Sequence, residues 1–318
     1  MTSIADLLNP VDQNPPAKMP VHAKREIRNV SEGKRKYVDM TGHFSMVFTP
    51  RKAAKAASRQ IEHLQKAPKK TGAQGSYQKV YAAIKKVIDS VAPLPDKKSR
   101  IKKLEEFLSL ANSNSKPYAG FLWAEIMLDE EKVSSKQGRQ IFAYLQNFVE
   151  DMTQKLDEED LYDFKDFLGR AYLYIGNILF DQLYGYKYTK EQVEKYYLKS
   201  KQFGNYSAYI GLGNLYEYEE EYDKALDIWK KCKGEFRKEK EKVAPVLNRL
   251  GCLYAEGFED FKEAVKILQQ AAELGDEDAK FNLPLYQGHL ENKNAKKDSL
   301  NFLAEAADTA YTAKAKTH

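Results

Sequence analysis

Short phrases repeat in the C-terminal half of this chain, and they constrain its fold more than any other feature. LGNLY (Leu212 to Tyr216) returns as LGCLY (Leu250 to Tyr254) 38 residues later, and IGNILF (Ile175 to Phe180) precedes the first of them by 37. A second register runs alongside. Val193 lies eleven residues before Gly204, while Ala264 and Val265 lie eleven and ten before Gly275. Ala208 and Ala279 follow their glycines by four residues, and Leu212 and Leu283 by eight. Lys224-Ala225 and Glu263-Ala264 hold similar places further on. A period in the high thirties is too long for one element and too short for a domain. It is the length of a supersecondary unit that buries its apolar face against its neighbours.

Each unit is built of helices. SYQKVYAAIKKVIDSV places Val80, Ile84, Val87, Ile88 and Val91 on one stripe at three- and four-residue steps, and SRIKKLEEFLSLAN does the same with Ile101, Leu104, Leu108 and Ala111. EEDLYDFKDFLGRAYLYIGNILFDQLY reads as one long helical stretch. No segment alternates apolar and polar residues long enough to make a strand. With 17 glycines and 11 prolines in 318 residues, turn punctuation is sparse, as it is in helical proteins. The expected fold is all-α: an α-solenoid of antiparallel helix pairs over residues 76–316, clearest over 170–290.

The repeated pattern resembles the Sel-like repeat, a branch of the tetratricopeptide superfamily. That family runs Ala-x-x-x-Leu-Gly-x-x-Tyr, an acidic or Gly-rich turn, Lys-Ala with an aromatic, then Ala-Ala-x-x-Gly. Ala208, Leu212, Gly213, Tyr216, Lys224, Ala225 and Trp229 fill one copy; Leu250, Gly251, Tyr254, Gly257, Ala264, Ala271, Ala272 and Gly275 fill the next. Gly176 belongs to an earlier copy, and Ala279 opens a degraded one in which Pro284 stands where Gly213 would be, so a kink is expected there. Residues 75–168 hold helical pairs without the signature. The resemblance implies a scaffolding role and names no partner. Related proteins act in assemblies around membrane or organelle enzymes, so an activator or assembly factor of such a complex is an alternative.

Gly211-Leu212-Gly213 also raises the question of a phosphate-binding loop. A dinucleotide fingerprint needs a preceding strand and a third glycine three residues on, where this chain has Tyr216. Recurrence at the period of a helix pair points instead to close helix packing, which offsets the roughly 1 kcal/mol that glycine costs inside a helix. Gly176, Ala208, Leu212, Gly213, Ala225, Gly251, Ala264, Gly275 and Ala279 are therefore assigned to repeat packing. None of the five histidines lies three or four residues from another histidine or from Cys232 or Cys252, so zinc spacing is missing. No serine sits in a nucleophile elbow. The reading is a non-enzyme with no cofactor and no metal.

Charge divides the chain. Residues 1–70 hold 14 Lys/Arg against 6 Asp/Glu, a net of +8, and the remainder holds 37 against 40, a net of −3. Residues 1–48, with four prolines and little periodicity, are expected to form a disordered basic arm. Residues 49–75 are expected to form an isolated helix and linker. Within the arm, Ile4, Leu7 and Leu8 make an i, i+3, i+4 set suited to a partner groove, and Thr49-Pro50 has a proline-directed phosphosite layout. The arm's charge leaves a nucleic-acid-associated role open as a further alternative. Two cysteines, no apolar run of membrane-spanning length and no secretory signal place the chain in the cytoplasm or nucleus. The function expected is that of an adaptor binding a protein or peptide, with Tyr209, Tyr216, Tyr218, Tyr222 and Tyr254 as contact candidates and the arm as a second docking or regulatory element.

Overall fold

A computed structural model describes residues 74–294, apart from 111–113, 131–132 and 187–188. Ile4, Leu7, Leu8 and Thr49, and everything expected of residues 1–73 and 295–316, lie outside the described residues. Among those described the chain is all-helical, with no strand. The helices are α1 (Gln74–Val91), α2 (Lys97–Ser109), α3 (Lys116–Leu128), α4 (Ser135–Lys155), α5 (Glu158–Asp163), α6 (Lys165–Phe180), α7 (Lys190–Gln202), α8 (Tyr206–Tyr218), α9 (Tyr222–Glu235), α10 (Lys240–Glu256) and α11 (Phe261–Glu273). Helical backbone α12 then covers 277–294, through Pro284.

Local chemistry sets these bounds. Asp96 caps α2 by accepting from the Ser99 N–H at 2.8 Å. Ser134 with Gln137, and Thr189 with Gln192, form reciprocal capping boxes at the starts of α4 and α7. The stripe of α1 is buried at all five expected positions. In α2 the buried pair is Leu104 and Phe107, with Ile101 and Leu108 only partly covered. The long stretch expected around residues 158–184 is broken: α5 ends and α6 begins at Phe164, whose side chain is fully buried against Tyr77. α10 starts at Lys240 and carries Pro245 in its interior.

α1 packs on α2, α2 on α3 and α4 on α6, and the pairs α3/α4, α6/α7, α8/α9 and α10/α11 pack most closely. α7 also meets α8, α9 meets α10, and α6 reaches α8 directly. Inside each pair a glycine of the first helix faces a bulky side chain of the second. A Cβ on Gly176 would lie 2.7 Å from the Tyr197 ring, and one on Gly251 2.5 Å from Leu268 Cγ; one on Gly213 would lie closer still to the Trp229 indole. Gly120 of α3 meets Tyr144 of α4 in the same way, at 3.0 Å, so the device extends one pair upstream of the recognisable repeats. Tyr197, Trp229 and Leu268 are almost completely buried. Each contributes roughly 2 kcal/mol through its buried apolar area, and the missing glycine Cβ is what admits it.

The turns repeat as well. In the turns of the pairs α6/α7, α8/α9 and α10/α11, Gln182, Glu220 and Glu259 adopt φ of 50°, 57° and 52°, in the left-handed region. After α7 and α11 that conformation falls to Gly204 and Gly275, with φ of 74° and 96°. The Asn205 N–H bonds back to the Ser200 carbonyl and the Asp276 N–H to the Ala271 carbonyl, closing the last turn of α7 and α11. A Cβ on Gly275 would meet open space. Its glycine is required by backbone conformation, and the packing role expected for it does not apply.

Candidate docking surface

Carboxylates link several of the first helices. Glu125 of α3 accepts from the Tyr174 hydroxyl of α6 at 3.1 Å and pairs with Arg170 Nη1 at 3.2 Å. Arg170 lies over the Phe121 and Phe167 rings, 5.5 and 5.4 Å from their centroids. Glu217 of α8 accepts from Trp229 Nε1 at 2.6 Å and faces Arg249 of α10. Glu256 of α10 accepts from the Tyr286 hydroxyl of α12 at 2.5 Å. Burial pushes the Glu125 and Glu217 carboxyls up, while Arg170 and Arg249 pull them back. These groups are occupied with one another and hold the packing order of the helices.

The five tyrosines expected at contacts divide into two sets. Tyr209 and Tyr216 are buried, and their hydroxyls donate to Glu235 and Glu194 of the second helices. Burial, then these carboxylates, raises both phenols. Tyr209 clasps its own pair, Tyr216 ties α8 to α7 of the pair before, and both leave little surface for a ligand. Tyr218, Tyr222 and Tyr254 instead collect at the turns joining first to second helices. The Tyr218 ring meets Phe180 edge-on at 5.8 Å. Tyr222 and Tyr254 flank Phe258 at 6.3 and 5.8 Å. Tyr218 ends α8 and Tyr222 begins α9, so only Glu219, Glu220 and Glu221 separate the two groups along the chain. Tyr218 is 48% exposed and Phe258 37%.

This aromatic ledge runs from the end of α6 to the end of α10. Cross-links hold it at several points. Lys190 at the start of α7 pairs with Glu221 at 2.5 Å, and Lys293 in α12 donates to the Glu259 carbonyl at 3.2 Å. Phe180 and Phe258, which complete the ledge, carry no signal in the sequence beyond their places, the one ending IGNILF and the other four residues after LGCLY. Tyr162, another exposed ring, is covered by Lys165, 4.6 Å from its ring centroid.

Other chemistry is sparse. Cys232 is buried and Cys252 partly so, and burial pushes both thiols up to about 12, which suppresses the thiolate a nucleophile needs. Among the described residues no group of three His, Cys, Asp or Glu side chains is placed to hold a metal ion. No described helix is long and apolar enough to cross a membrane. No protein-family model matches the chain, and comparison with curated proteins finds no match.

Proposed function

We propose that this chain is a non-catalytic adaptor: an α-solenoid of Sel-like hairpins that holds a partner protein at the ledge of Phe180, Tyr218, Tyr222, Tyr254 and Phe258. The glycine-to-bulky seams at Gly176, Gly213 and Gly251 and the left-handed turn residues at 182, 220 and 259 support the hairpin reading, because both recur with the sequence period. The observation that carries the binding role is that two exposed rings, Tyr218 and Phe258, rest on partly buried rings at one set of turns. Exposed rings on a rigid support supply large contact area at small entropic cost, and such residues dominate binding energy at protein interfaces.

The test is affinity purification with the full chain beside Tyr218→Glu/Phe258→Glu, after both have been matched in thermal melting. The adaptor reading expects a partner that is recovered with the parent, is lost with the variant, and in recombinant form binds the parent alone. Equal recovery of every partner by the two proteins would remove the ledge from the account.

A further inference from the structure

Resting on that adaptor reading, the ledge also specifies the chemistry of what it holds. We infer that its occupant is an extended, Lys/Arg-rich segment of the partner, with cationic side chains laid on the Tyr218 and Phe258 rings and paired with the surrounding carboxylates.

Charge is the first argument. Residues 217–223 contain five Asp/Glu and no Lys/Arg, and residues 256–260 contain three and none. Part of this charge is already used. Asp260 caps α11 by accepting from the Glu263 N–H at 3.0 Å, Glu217 holds Trp229 and Glu256 holds Tyr286. Glu221 takes both nearby ammonium groups, Lys190 at 2.5 Å and Lys224 at 3.2 Å. Glu219, Glu220, Asp223 and Glu259 remain, and none of them makes an ion pair with a described residue. The excess is local to these turns: residues 230–242, which include the turn between α9 and α10, hold seven Lys/Arg against three Asp/Glu.

The rings are the second argument. An aromatic face attracts a cation, and the molecule already uses that contact where both groups are its own. Lys242 lies 4.4 Å from the Phe236 centroid, Lys201 5.3 Å from Tyr209 and Lys224 5.6 Å from Tyr216. Among the described residues Tyr218 and Phe258 have no such cation. They stand where the neighbouring carboxylates are in surplus, so a cation arriving there meets both at once.

Continuity is the third. Tyr218 ends α8, and Tyr222, four residues on, brings its ring to 6.3 Å from Phe258, which follows the end of α10 by two residues. The fitting segment is therefore extended, with Lys or Arg at intervals and small polar residues between.

The probe is a labelled peptide of about twelve residues with Arg at every third position among Gly and Ser, titrated against the full chain by fluorescence anisotropy. Binding is expected, and raising salt from about 50 to about 300 mM should weaken it several-fold. Tyr218→Ala/Phe258→Ala and, separately, Glu219→Gln/Glu220→Gln/Glu259→Gln should each weaken it about tenfold or more. Both sets alter exposed side chains, so an unchanged urea midpoint is the control for folding. Failure of the peptide to bind, or binding unaffected by loss of the rings, overturns the inference; the latter marks a merely acidic surface. Preference for a Leu/Ala amphipathic helix over the Arg peptide overturns it too. If the Arg peptide fails while Tyr218→Glu/Phe258→Glu still loses its partner, the adaptor reading stands and the chemistry assigned to that partner falls. If neither effect is seen, both fall.

Discussion

Gly213→Ala adds one methyl group, and the structure makes its cost large. The new Cβ would lie within 3 Å of three Trp229 indole atoms. The ring has no room to yield: it is fully buried, and its Nε1 donates to the partly buried Glu217 carboxylate at 2.6 Å. Overpacking of this kind costs about 1–3 kcal/mol, and a shift that broke the Trp229–Glu217 bond would cost a further 1.5–3 kcal/mol or so. Against this, alanine gains about 1 kcal/mol of helix propensity over glycine. The net expectation is a loss of about 1–3 kcal/mol. Gly234→Ala in α9 is the internal control, because a Cβ there meets nothing within 4 Å; it should stabilise by about 0.5–1 kcal/mol. Gly251→Ala should cost less than Gly213→Ala, since Leu268 is a flexible aliphatic chain where Trp229 is a rigid bicycle. The assay is urea denaturation followed by far-ultraviolet circular dichroism, which does not depend on the tryptophan being present. In a Trp229→Leu background the Gly213→Ala penalty should fall to about zero or reverse, a coupling of about 2 kcal/mol. If Gly213→Ala stabilises the protein as Gly234→Ala does, or keeps its full penalty without Trp229, close approach at this seam is not the reason for the glycine.

Glu220→Gly and Glu259→Gly relieve left-handed backbone at residues with a Cβ, and each should raise stability by about 0.5–1 kcal/mol in the same assay; a loss would show that the carboxylates contribute to folding more than the backbone conformation costs. Arg170→Met strands the Glu125 carboxylate and should destabilise by about 3–5 kcal/mol near neutral pH, with Arg170→Met/Glu125→Leu recovering most of it. Burial already raises Glu125, and without Arg170 nothing pulls it back as strongly. The folded variant then binds a proton that the unfolded chain has released, so its stability is greatest near about pH 5 and falls as pH rises through the folded-state value. A variant equally impaired at about pH 5 and pH 8 would rule this out.

What was legible in the sequence and what was not have separate physical causes. Gly213 and Gly251 recur because every hairpin needs close approach at the same register, and a register is a sequence-local property. Their partners are harder to read, because Tyr197, Trp229 and Leu268 differ in kind and only their volume is common. Periodicity also marks a position without giving the cause: Gly275 keeps the repeat's spacing, yet its φ of 96° and the open space beside it make it a turn residue. The break at Phe164 has no glycine or proline to announce it; the tertiary burial of one ring interrupts a run of helix formers. Tyr216 and Tyr218 stand two residues apart, one tying α8 to α7 and the other facing solvent. Two residues rotate a helix by about 200°, so the two rings leave on opposite sides, and the phase of α8 against α7 and α9 is set only in three dimensions. The ledge is hidden for the same reason, since Phe180 and Phe258 lie 78 residues apart along the chain.

Tyr197 sits between two glycines that belong to different hairpins, Gly176 of α6 and Gly211 of α8, either of which would bring a Cβ within 2.7 Å of its ring. Its hydroxyl is tied to Asn177 at 2.9 Å. One side chain thus acts as the shared keystone of consecutive units, and neither can loosen without withdrawing support from the other. Fraying that starts at the C-terminal hairpins should therefore meet a barrier at α7, and amide exchange in α6 to α8 should be slow and concerted.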